Sequence, residues 1–173
     1  ELLMLKFPTS LWAYLYARSL LDDLYMNEKL HFFEDFEFNY RVLSRSANVS
    51  LCHQRLYHYQ PGAGSINMQR INERRMSCLG IYDLVAGSLM EEHSDLMQYA
   101  SCFRAHMLVS VISSLARSEN ASGHYHKVVE RHARSTLPNI AFSHWTPMRH
   151  KLAIAACSVN SQCACRLIGW LKR

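Results

Sequence analysis

An acidic pair, Glu34-Asp35, stands immediately before an apolar stretch that begins at Phe36. A carboxylate is a competent general base when it lies within about 2.6–3.2 Å of a hydroxyl, so this pair could remove a proton from an alcohol substrate. Acidic residues at such a position also commonly cap a helix, and Asp35 would suit the first turn of a helix over residues 36–43. The pair alone leaves a general base and a helix cap as alternatives.

Aromatic, basic and hydroxyl side chains on either side of this pair are candidate substrate contacts. Trp12, Tyr57 and Tyr59 offer aromatic faces to a ligand, although packing within a strand is the usual role of such tyrosines. Arg18 and Ser65 are the remaining candidates, and each has a plainer interpretation, as a surface charge and as a turn residue.

These residues belong to four segments that follow one another in a fixed order. The segments are Trp12 followed by Leu15-Tyr16-Ala17-Arg18-Ser19-Leu20-Leu21, Phe33-Glu34-Asp35-Phe36-Glu37-Phe38, Leu56-Tyr57-His58-Tyr59, and Gly64-Ser65-Ile66. Their order over roughly residues 9–67 resembles the second half of bacterial family-2 glycosyltransferases. The resemblance implies a GT-A fold and inverting transfer of a sugar to an acceptor hydroxyl in cell-surface polysaccharide synthesis. It assigns catalysis to Asp35 as base, with Glu34 as its neighbour, and acceptor contacts to Trp12, Arg18, Tyr57, Tyr59 and Ser65.

The resemblance also implies substrates and a cofactor that this sequence does not account for. Family members use a nucleotide-sugar donor with Mg²⁺ or Mn²⁺, and a glycan or lipid-linked acceptor. The Asp-x-Asp metal motif and a Gly-rich phosphate loop are absent, and Asp22-Asp23 stands in a different place. Gln60 replaces the basic residue that many relatives carry after Tyr-x-Tyr. Because the chain also begins at Glu1 without Met, we expect a fragment that is inactive alone and carries no cofactor itself.

The secondary-structure elements that must position these residues are predicted to differ before and after residue 69. Residues 1–69 predict a small α/β portion, the acceptor side of a partial GT-A core, with short strands at 49–52 and 56–59. Residues 70–173 predict a helical extension, and the overall fold class is mainly α. Two apolar stripes have helical spacing. They are Leu79, Tyr82, Ala86, Leu89 and Met90, then Ala100, Phe103, Met107, Val111 and Leu115. Further helices are predicted over 125–134, ending before Pro138, over 147–157 and over 162–171.

Composition excludes several classes of protein. The chain has 173 residues, 49% of them hydrophobic and 19% charged, which describes a globular chain rather than a disordered one. No apolar run reaches the ~18–20 residues of a membrane-spanning helix. Six scattered cysteines predict reduced thiols in a cytoplasmic protein. Zinc binding by Cys163 and Cys165 with His124 and His126 is a weak alternative, because the spacing matches no standard zinc site.

The net charge of +5 raises the question of an anionic partner. No nucleic-acid motif accompanies it, so we expect no nucleic-acid partner. The apolar and basic residues 167–173 suit an anionic membrane surface, which would place the protein at the inner face of the membrane, but a solvated helix end has the same pattern. A homodimer is another partner to consider. The alternative to a transferase is a non-enzymatic helical interaction module.

Overall fold

The structure, a computed structural model, describes residues 1–54, 56–58, 60, 70–92, 94–118 and 120–171. The described part is mainly helical and contains no β-strand. Its α-helices are α1 Glu34–Arg45, α2 Glu73–Met76, α3 Ile81–Glu92, α4 Met97–Ala116, α5 Gly123–Ile140, α6 Met148–Val159 and α7 Ser161–Leu171. Short 3₁₀ turns lie at Leu2–Met4, Leu11–Ala13, Arg18–Leu20, Ser77–Gly80 and Ser94–Leu96.

Helix α4 is the centre of the bundle and contacts α3, α5, α6 and α7. Its predicted stripe is confirmed, because every member is buried: Ala100, Phe103, Met107, Val111 and Leu115. Cys102, Ala105, Leu108 and Ile112 are buried as well, so α4 is covered on most sides. A helix that is apolar around much of its circumference is expected to lie inside a core rather than at its surface.

The predicted stripe of α3 is partly wrong. Leu79, Ala86 and Leu89 are buried, but Met90 is exposed, and the fully buried positions include Ile81 and Val85. The turn at Ser77–Gly80 is 3₁₀ rather than α-helical, so Leu79 precedes the helix and does not share its 3.6-residue period.

Helix α5 continues through Pro138, where the sequence predicted an end. Proline removes its own N–H donor and its ring crowds the carbonyl four residues earlier, but the helix hydrogen bonds resume after it, since Ala141 N donates to Leu137 O (3.0 Å). Burial of Ile140 against the bundle keeps the last turn in place. The predicted helices over 147–157 and 162–171 are confirmed, each within two residues of its observed ends.

The predicted α/β portion at the amino-terminal end is not seen. Residues 49–52 and 56–58 have no regular structure, and Val49, Leu51 and Leu56 are exposed. A strand is stabilised by ladder hydrogen bonds and by one buried face, and these described residues have neither. Tyr59 lies outside the described residues.

The predicted helix over 36–43 is confirmed in a longer form, but Asp35 is not its cap. Phe33 holds that position with a left-handed backbone (φ 64°), and Asp35 lies within the first turn of α1. The core runs across both parts of the chain, since Leu2, Leu3 and Phe36 pack with the bundle helices. The division near residue 69 stays a prediction.

Candidate functional site

Asp35 contacts a segment that lies far from it in sequence. Its Oδ2 accepts a hydrogen bond from the backbone N–H of Leu11 at 3.4 Å. The 3₁₀ turn Leu11–Ala13 therefore lies beside the first turn of α1. Trp12 is the residue that directly follows this donor in the sequence.

Trp12 and Tyr57 form an aromatic pair at the surface. Their rings are stacked, with centroids 4.3 Å apart and planes 15° apart. The two side chains remain 47% and 55% exposed, so the pair does not belong to the core. Two aromatic candidates, from the first and third segments of the predicted motif, thus lie together, and one of them belongs to the turn that bonds Asp35.

The segment that carries Trp12 is fixed by buried polar contacts with α1. Tyr16 Oη donates to Asn39 Oδ1 (2.6 Å), and Asn39 Nδ2 donates to the carbonyl of Thr9 (2.7 Å). Asn39 is fully buried. Burial raises the pKa of Tyr16 to about 12, with smaller contributions from the charges of Tyr14 and Asp35. Tyr16 therefore stays protonated and donates its hydroxyl hydrogen to Asn39. The Asp35 carboxylate lies near enough for its charge to contribute to the raised pKa of Tyr16.

Sequence reasoning missed Asn39, which positions the site without belonging to any motif. An asparagine in mid-helix is usually a weak helix residue with a solvated side chain. The sequence offers one indication of this role. Asn39 lies between the apolar residues Phe36 and Val42 of α1, and an amide that is buried among apolar side chains must find hydrogen-bond partners.

Of the remaining predicted site residues, the structure describes Arg18 and Glu34. Arg18 begins the turn Arg18–Leu20 with an exposed side chain. Glu34 lines a cavity of about 270 Å³ that neither Asp35 nor Trp12 lines. Tyr59 and Ser65 lie outside the described residues.

A buried arginine, Arg75, lines the cavity beside Glu34. The Arg75 guanidinium lies 3.9 Å from the ring centroid of Phe32, and Nη2 donates to Ser110 Oγ (3.2 Å). Burial, followed by the charge of Arg117, lowers the pKa of Arg75. These contacts join the loop before α1 to α2 and α4, which is a structural role.

A second cluster has residue types suited to acyl transfer, but its geometry is structural. The Ser161 hydroxyl lies 2.9 Å from His126 Nδ1, and Glu130 Oε1 accepts from both the N–H (3.0 Å) and the hydroxyl (3.2 Å) of Ser161. Ser161 is completely buried, so its oxygen cannot meet a substrate. The hydrogen bond from Ser161 N is the main reason that the pKa of Glu130 is lowered. The cluster joins α5 to the beginning of α7.

Metal ligation finds no support among the described residues. They contain no group of three or more His, Cys, Asp or Glu side chains that could hold a metal ion. The divalent cation that the resemblance implies therefore has no matching ligand set in this part of the chain. Cys163, Cys165, His124 and His126 are among the described residues and form no such group either. All six cysteines are free thiols.

Comparison with known proteins assigns no family or function to this chain. No family model matches the chain, no curated protein matches it, and no solved structure matches it. Among the described helices, none is both long and apolar enough to cross a membrane.

Proposed function

We propose that this chain supplies the acceptor side of an inverting glycosyltransferase that acts in cell-surface polysaccharide synthesis. One observation supports the proposal: the residue that donates a hydrogen bond to the Asp35 carboxylate, Leu11, directly precedes Trp12, whose ring stacks on Tyr57. A carboxylate next to an exposed aromatic pair is the arrangement that a sugar hydroxyl requires, with one group for the proton and another for the ring.

Asp35 acts as the general base in this proposal. It accepts the proton of an acceptor hydroxyl while that oxygen forms a bond to the anomeric carbon of the donor sugar. The bond from the anomeric carbon to the nucleoside diphosphate breaks on the opposite face, and the leaving group takes the electron pair. The configuration at that carbon is therefore inverted.

The aromatic pair positions the acceptor. A sugar ring presents C–H groups on its faces and hydroxyls at its edge, so a ring packed against Trp12 directs its hydroxyls sideways. Because Trp12 directly follows Leu11, whose N–H bonds Asp35, a hydroxyl of that sugar comes near the base. Holding reactants in place in this way lowers the entropic part of the barrier.

The test is sugar transfer by the complete natural polypeptide that carries this sequence. Nucleoside diphosphate release is measured with UDP-, GDP- and dTDP-sugars in the presence of bacterial surface oligosaccharides. Asp35→Asn keeps the size of the side chain but removes the base, so the rate should fall by about 10²-fold or more. Asp22→Asn changes an exposed aspartate and should leave the rate unchanged. Full activity of Asp35→Asn, or no release by the unmodified protein with any donor, would contradict the proposal.

A further inference from the structure

Helix α6 is apolar on the face that it turns away from the bundle as well as on its inner face. Ile154 and Cys157 are fully buried. Met148, Leu152 and Val159, spaced four and seven residues apart, share the opposite face and are 65%, 64% and 79% exposed. A helix at the surface of a globular protein normally carries polar residues there. We call these three residues the outer stripe of α6.

Positive charge flanks the outer stripe. All fourteen acidic residues of the chain lie at or before Glu130, whereas seven Lys and Arg residues follow it. Arg149 and Lys151 lie on α6 on either side of the stripe, and the Lys151 ammonium donates to the carbonyl of Ala141 (3.0 Å). That bond holds Lys151 next to the turn that carries the exposed Phe142. The stripe thus has basic neighbours and no acidic residue on its own helix.

We propose that the outer stripe of α6 lies on an anionic phospholipid surface. Exposed apolar residues bordered by Lys and Arg are what an interfacial helix uses, because the apolar side chains enter the acyl boundary while the cations meet lipid phosphates. With 12 residues, α6 is about 18 Å long, which suits a position in the plane of the interface. This site lies outside the Asp35 site and does not depend on the proposed transferase activity.

Other occupants fit the stripe less well. Nucleic acid would use the positive charge but has no apolar surface for Met148, Leu152 and Val159. A second copy of this chain would be repelled, because the basic residues beside the two outer stripes would face each other. Three side chains also offer far less area than the ~1,200–2,000 Å² that a stable protein interface buries.

The test is co-sedimentation of the full chain with lipid vesicles. Phosphatidylcholine vesicles with about 30% phosphatidylglycerol should bind the protein at least tenfold more strongly than pure phosphatidylcholine vesicles, and added salt should weaken binding. Leu152→Glu should lower binding to the anionic vesicles at least tenfold. The matched control is Leu84→Glu, which changes an exposed leucine of α3 by the same charge and should bind like the unmodified chain.

A second variant keeps the proposal testable if Leu152→Glu disturbs folding. Arg149→Gln retains the apolar stripe and should weaken binding to anionic vesicles by about fivefold. Equal binding of the Leu152→Glu and Leu84→Glu chains, or no preference for anionic lipid, would overturn the proposal. So would a dimer in solution that Leu152→Glu converts to a monomer, because a second copy would then be the occupant. Oligosaccharide binding should be unchanged by Leu152→Glu, which separates this proposal from the proposed function.

Discussion

The helical bundle of α3 to α7 and the amino-terminal segment, residues 1–54, are held together by different kinds of interaction. The bundle buries large apolar side chains, among them Ile81, Leu89, Met107 and Ile154. The amino-terminal segment has one α-helix, a separate cluster of Leu24, Phe38 and Val42, and several side-chain hydrogen bonds to loop backbone. Trp12 and Asp35 lie on the segment whose loops are held by polar contacts, while the bundle provides the packed scaffold. Placing binding residues on loops that a packed scaffold supports is a common division of roles.

The largest expected effect breaks the junction between the two regions. Phe36 of α1 stacks on Phe103 of α4, with ring centroids 3.7 Å apart, and both are fully buried. Phe103→Ala should lower the free energy of unfolding by about 3–5 kcal/mol, since it opens a cavity where the regions meet. Urea denaturation measures this change. Phe142→Ala removes an exposed phenylalanine and should cost less than about 0.5 kcal/mol. A loss below about 1 kcal/mol for Phe103→Ala would mean that the regions do not share a core.

A smaller effect is expected from a polar contact of the amino-terminal segment. Arg41 donates two hydrogen bonds to the buried Glu37 carboxylate (2.6 and 2.8 Å) and one to the carbonyl of Tyr25 (2.8 Å). Arg41→Ala should cost about 1.5–3 kcal/mol, because Glu37 loses its partner. Hydrogen exchange should speed up around residue 25 and remain slow in the bundle. Arg45→Ala removes an exposed contact to Asp22 O (3.3 Å) and serves as the control. Equal losses for the two variants would contradict the polar account of this segment.

The third expected effect concerns the pH dependence of the bundle. Burial, aided by the charges of His150 and Arg149, lowers the pKa of His106 from 6.5 to about 4. The unfolded chain binds a proton at this histidine below pH 6.5 while the folded chain does not. His106 therefore lowers the free energy of unfolding as the pH is reduced from 6.5 to 4, and it contributes no pH dependence above that range. His106→Gln should make this fall shallower in urea titrations at pH 7 and pH 5. His144→Gln, at an exposed position, should leave it unchanged. Parallel curves for the unmodified and His106→Gln chains would contradict the prediction.

How much of the fold could be predicted differs between the two regions for the same physical reason. Apolar periodicity predicts the bundle because burial is what holds it, as in the confirmed stripe from Ala100 to Leu115. Apolar periodicity does not predict the structure where local turn geometry or tertiary packing determines the ends of a helix. The turn at Ser77–Gly80 shifts Leu79 out of the helix, and tertiary packing carries α5 past Pro138.

The sequence indicated candidate residues for the site but not the contacts that hold them. Trp12, Asp35 and Tyr57 were selected from their order in the sequence; in the structure Trp12 stacks on Tyr57, and Asp35 bonds Leu11, the residue before Trp12. The strands expected beneath them were wrong, because the β-branched and aromatic content of 49–52 and 56–58 has no partner strand among the described residues. Long-range hydrogen bonds such as Asn39 to Thr9 O leave no periodic pattern from which they could be inferred.

The most direct test of the site compares two tryptophans that have similar exposure and that each contact a tyrosine. Trp12 and Trp145 are 47% and 45% exposed, and each lies against a tyrosine, Tyr57 and Tyr99. Only Trp12 lies beside the segment that bonds Asp35. The measurement is fluorescence titration of the chain and its variants with bacterial surface oligosaccharides. Trp12→Ala should weaken binding at least tenfold, which corresponds to about 1.4 kcal/mol, while Trp145→Ala should leave it within twofold. Equal losses for both variants, or undiminished binding by Trp12→Ala, would contradict the account.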